Sequence, residues 1–92
     1  ALQARDPDSL ALERYDDVAV ILTGEWDVEA ADGVTWVQDL CAALHVPGLA
    51  TYGITAGVFA DVIEKAMASS SMKGNPIKLT TAEVRGILMR AL

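Results

Sequence analysis

The chain has one cysteine, one histidine, one phenylalanine and three prolines in 92 residues, and the shortages close off several classes of protein. A lone Cys41 can form no internal disulfide, which sets aside the disulfide-stapled scaffolds and predicts a reducing, cytoplasmic setting. A lone His45 cannot build a metal centre without several thiolate or carboxylate companions, and no Ser-His-Asp set can be assembled around it. No apolar run approaches the roughly 18 residues of a membrane span; the longest clean run is Val18 to Leu22. No basic-then-apolar leader is visible, and the first residue is Ala1 rather than Met, as expected of a trimmed or processed piece. Cations are scarce as well. Seven Lys and Arg against thirteen Asp and Glu leave a net charge of −6, which argues against nucleic acid as a partner.

What remains is apolar enough to fold. Hydrophobic residues make up 52% of the chain, sufficient for a modest core in one small domain and against disorder. Charge is unevenly spread. Residues 1–64 hold two arginines against twelve acids, a balance of −10, whereas residues 65–92 hold five cations against Glu83 alone, a balance of +4. Ordinary variation between solvated faces accounts for such a split. The alternative is that the positive end faces an anionic group, such as a nucleotide-bearing cleft.

Apolar residues recur with helical period throughout, and no alternating strand pattern is present, so the fold is expected to be all-α, a small antiparallel bundle of about four helices. Residues 1–8 are expected to be extended or frayed. Asp8 or Ser9 can cap a first helix over about 9–23, with Leu12, Tyr15, Val18, Ala19 and Leu22 as its buried stripe and Gly24 as its stop. Asp32 can cap a second helix over about 33–45, in which Val37, Leu40, Cys41 and Leu44 face inward and Trp36 extends that face. Cys41 is therefore expected to be an inert core residue. Pro47 and Gly48 end that helix. Thr55 can cap a third, about 56–70, with a wide apolar face of Val58, Phe59, Val62, Ile63, Ala66 and Met67.

The polar stretch Ser69 to Thr80 carries the strongest local signals. Thr80 to Glu83 reads Thr-x-x-Glu, a capping box, with Leu79 and Val84 spaced as a hydrophobic staple. Val84, Ile87, Leu88 and Ala91 then form one stripe on a final helix. Asn75-Pro76 excludes Asn75 from helical geometry, which keeps this loop from melting into its neighbours.

Familiar catalytic patterns fail on inspection. Asp27-x-Glu29-x-x-Asp32-Gly33 suggests a calcium loop, but positions six and twelve hold Asp32 and Gln38 where glycine and a bidentate glutamate are needed. Ser70-Ser71-Met72-Lys73 matches a Ser-x-x-Lys nucleophile motif without its partner motifs. Lys73-Gly74 lacks the preceding glycine and following hydroxyl of a phosphate loop. No catalytic, cofactor-binding or metal-ligating residue is therefore expected within the chain itself.

Ser70-Ser71-Met72-Lys73-Gly74-Asn75-Pro76-Ile77, followed by Leu79-Thr80 and a short helix, resembles the C-terminus of iron-containing alcohol dehydrogenases. Glu13-Arg14-Tyr15, Leu22-Thr23-Gly24, Asp32-Gly33-Val34-Thr35-Trp36-Val37, Leu40-Cys41, Val46-Pro47-Gly48-Leu49 and Tyr52-Gly53-Ile54 fall upstream in the order that family shows. The resemblance covers roughly residues 11–92. It implies the helical C-terminal part of a two-domain enzyme in which iron, or another divalent metal, and NAD(P) are held elsewhere. The metal-ligand histidine motifs and the glycine-rich nucleotide segment of that family are not in this sequence, and His45 stands where the family usually carries glycine. A segment of this kind is expected to be inactive alone. Its partners would be the nucleotide-binding domain and metal-binding helices of the parent, with a homo-oligomer also compatible. The resemblance further implies that Ser71, Met72, Lys73 and Asn75 line the substrate side of the cleft, with Gly74 and Pro76 shaping the loop. The alternatives are a purely structural loop and, for the whole chain, a stand-alone helical interaction or dimerisation module.

Overall fold

The computed structural model describes residues 1–92 and is all-α, with four main helices, several short 3-10 turns and no strand. Its contacts gather into two units, Leu2–Val46 and Pro47–Leu92.

In the first unit, a single turn α1 (Leu2–Arg5) precedes two 14-residue helices, α2 (Leu10–Thr23) and α3 (Ala30–Ala43). The expected extended lead thus contains one helical turn. Helix α2 ends as its sequence dictates: Gly24 adopts φ 76° and returns its amide to the Val20 carbonyl, a conformation that costs glycine nothing. The Thr23 hydroxyl turns back to the Ala19 carbonyl at 2.9 Å.

Helix α3 starts one turn earlier than its local signals suggest. Its N-cap is Glu29 rather than Asp32, and the Asp32 carboxylate reaches back to accept the Glu29 amide at 2.8 Å. This local capping box is joined by a tertiary bond: the Asp16 carboxylate on α2 accepts the Ala30 amide at 2.7 Å, satisfying a donor that has no intrahelical partner. The two helices pack together through small residues. Ala19 is wholly buried, and Gly33 is the one buried residue of α3.

Helix α3 closes with a Schellman arrangement. The His45 amide bonds to the Ala42 carbonyl, the Val46 amide bonds to the Cys41 carbonyl, and His45 sits at φ 54°. That is the left-handed region, which favours glycine.

In the second unit, 3-10 turns Leu49–Tyr52 and Ala56–Val58 lead into α4 (Phe59–Ala68), and α5 (Thr81–Arg90) packs against it. The start of the third predicted helix is therefore a 3-10 turn, and Thr55 makes no side-chain cap. Phe59, Ile63 and Val84 form the buried centre, flanked by half-buried Ile54, Met67, Met72, Leu79 and Leu88. Arg85 lies over the Phe59 ring at 5.6 Å. The capping box on α5 is complete: Thr80 Oγ1 accepts the Glu83 amide at 3.2 Å, and Glu83 Oε2 accepts the Thr80 amide at 2.7 Å. Leu79 joins the same apolar cluster as Val84, as the staple spacing predicts. Gly48 is held where no side chain fits, since a Cβ there would fall 2.2 Å from the Leu92 carbonyl oxygen. The Leu49 amide accordingly reaches the Ala91 carbonyl at 2.8 Å.

Candidate functional site

Two places have the shape to act on something else: the loop between α4 and α5, and the open side of the α2–α3 pair.

The loop is more ordered than its polar composition suggests. Ser69 breaks α4 by turning extended, and Ser70–Gly74 then wind a 3-10 turn. Ser69 Oγ accepts the Ser71 amide at 3.4 Å and lies 2.8 Å from Ser71 Oγ, so the serines are engaged with one another. Met72 points inward and packs, half-buried, on the Phe59–Ile63–Val84 cluster. Asn75 is extended at φ −69°, ψ 141°, as the following Pro76 requires. Its side-chain amide donates to the Met72 carbonyl at 3.1 Å. Gly74 has open space around its Cα and no positive φ, so packing does not demand glycine there. Lys73 is exposed and takes part in no ion pair. Of the four expected cleft residues, then, Met72 anchors the loop and Asn75 bridges it. Ser71 and Lys73 are the two left facing outward.

The α2–α3 side departs furthest from expectation. The predicted inward stripe on α2 is open along much of its length, with Tyr15 and Val18 each 47% exposed. On α3 the expected inward face is uncovered as well: Val37, Leu40 and Leu44 are exposed, and so is Cys41. Trp36 lies at the margin of exposure and seals nothing. These side chains have the right period to be buried, yet they are exposed. Three of them, Tyr15, Val18 and Val37, line a groove of about 620 Å³ together with Leu22, Gly33 and Val34 among others. None of its lining residues carries a charge. Sequence reasoning placed the stripe correctly and gave it the wrong environment. The available signal was Gly33, whose bare backbone lets two helices approach but supplies no side chain to fill the space beside them.

The whole chain repeats this imbalance. Sixteen large apolar side chains are exposed, whereas the buried hydrophobic core amounts to Ala19, Phe59, Ile63 and Val84.

The metal and nucleotide chemistry of the resembling family finds no seat here. No three His, Cys, Asp or Glu side chains converge in a way that could hold a metal ion. With no strand there is also no strand–turn–helix unit to cradle a dinucleotide. No helix is long and apolar enough to cross a membrane. No family model, curated protein or solved structure matches the chain.

Proposed function

We propose that this chain is the C-terminal helical segment of an iron-dependent, NAD(P)-linked alcohol dehydrogenase, seated against the rest of that enzyme through the open side of α2 and α3. The observation that carries the docking half of this reading is the uncharged groove beside Tyr15, Val18, Val34 and Val37, a core face without its other half. The ordered motifs from Glu13 to Glu83 support the family half. In an enzyme of this kind a divalent metal polarises the substrate oxygen while hydride is exchanged with a nicotinamide cofactor. Both groups would be held by the remainder of the protein.

This segment's own contribution is positional. The 3-10 turn Ser70–Gly74 is pinned by Met72 on its inner side and by the Asn75 bridge behind it. Ser71 and Lys73 are thereby presented from a braced support, at little further cost in ordering. An outward ammonium there would favour an anionic group on substrate or cofactor.

The test is to read the coding sequence upstream of Ala1 and assay the full-length product for reduction of NAD⁺ or NADP⁺ by alcohols with added ferrous iron. Metal-dependent turnover that a chelator abolishes is expected. A full-length product that binds no divalent metal and turns over no alcohol or aldehyde would remove the assignment.

A further inference from the structure

We infer that the α2–α3 groove receives an amphipathic helix whose apolar stripe is flanked by lysine and arginine. This rests on the reading of that groove as a docking surface and deepens it by naming the chemistry of the occupant.

Shape sets the first requirement. The groove is lined by two 14-residue helices, each about 21 Å long, and by Gln3 of α1. Its open, apolar form suits a helix laid lengthwise, whose residues at i, i+3, i+4 and i+7 would meet Tyr15, Val18, Val34 and Val37.

Charge sets the second. The unit Leu2–Val46 holds ten acids against Arg5 and Arg14, a balance of −8. Helix α3 has no basic residue at all, and α2 has only Arg14. At one end of the helix pair, the connection Gly24–Glu29 presents Glu25, Asp27 and Glu29 with no cation among them. An occupant with basic flanks therefore gains on approach and finds acids at that end. A second copy of the chain would instead bring one balance of −8 against another, which opposes pairing through this face.

Fluorescence polarisation on the chain tests this, using a labelled helical peptide of about 18 residues with leucines at that spacing and lysines beside them. A counterpart with glutamate in place of each lysine is the control. The lysine peptide should bind at least about tenfold more tightly than the glutamate peptide. Its affinity should fall as salt rises from about 0.05 to about 0.5 M. Val34→Gln with Val37→Gln should weaken it by about tenfold or more through lost apolar burial. Both positions are exposed in the chain, so unchanged circular dichroism is expected, and Val34→Gln alone serves if the pair unfolds. Equal affinity for the two peptides, no binding of either, or indifference to the valine changes would overturn the inference. So would self-association of the chain that the same valine changes abolish. Peptide binding combined with an inactive full-length product would reject the dehydrogenase assignment alone. Activity without peptide binding would reject this inference alone.

Discussion

Ala19 on α2 and Gly33 on α3 meet at a contact with no room for a further side chain: a Cβ on Gly33 would lie 3.0 Å from the Ala19 Cβ and 3.1 Å from its Cα. Ala19 is fully buried and cannot swing aside, so a larger residue at 33 must push the helices apart. Gly33→Val should cost about 1–3 kcal/mol in urea melts. Gly33→Ala should cost less, because better helix propensity offsets part of the clash by about 1 kcal/mol. Combining it with Ala19→Gly should show a coupling energy beyond the sum of the single changes. Strict additivity would mean that the helices do not approach here.

His45 closes α3 with a left-handed backbone at φ 54°. A side chain in that region costs roughly 1–2 kcal/mol that glycine does not incur. His45→Gly should therefore raise thermal stability, by about 1 kcal/mol after the greater entropy of glycine in the unfolded chain is deducted. His45→Val should lower it, since a β-branched residue tolerates the region least. Melting curves that rank valine above glycine would contradict the Schellman closure.

Two positions report on the second unit. Thr80→Ala removes the acceptor for the Glu83 amide and should cost about 0.5–2 kcal/mol. Phe59→Ala empties the largest fully buried site and should cost about 3–5 kcal/mol, with loss of the Arg85 stacking contact. Denaturant titration distinguishes them: the second change should unfold the Pro47–Leu92 unit at much lower denaturant than the first.

Lys73→Met tests the role proposed for the loop, and is made in the full-length protein. The side chain is exposed and forms no ion pair, so the melting temperature should hold. A rise in KM alone would place the ammonium on bound substrate or cofactor, and a fall in kcat would place it near developing charge. Unchanged constants across several alcohols and aldehydes would make the loop structural only.

Sequence and structure agree best where a rule is local. Gly24 stopping α2, the Thr80–Glu83 capping box and the extended Asn75 before Pro76 each depend on residues within one turn of each other. Disagreement enters where a distant residue decides. The start of α3 combines a local Glu29–Asp32 capping box with an acceptor that Asp16, 14 positions away, supplies to Ala30. The stripes through Tyr15 and Leu40 were legible as apolar, but periodicity marks a face without saying what covers it, and both side chains are exposed. At the candidate loop, the sequence marked the right stretch and could not show which way each side chain turns. That Met72 points inward is set by the apolar cluster of Phe59, Ile63 and Val84, not by its neighbours in the loop.

The clamp at Gly48 also sets the order in which parts of the chain can mature. The Asp16–Ala30 bond joins residues 14 apart, and a loop that short closes early in folding. The bond from Leu49 to Ala91 spans nearly the whole second unit and has to wait until both of its ends exist. On a ribosome, α2 and α3 can pair while α5 is still unsynthesised, whereas the Leu49–Tyr52 turn gains its partner only when Ala91 and Leu92 emerge. Pulse-labelled hydrogen exchange should accordingly find the Ala30 amide protected before that of Leu49, and the reverse order would show that the long-range clamp nucleates folding instead.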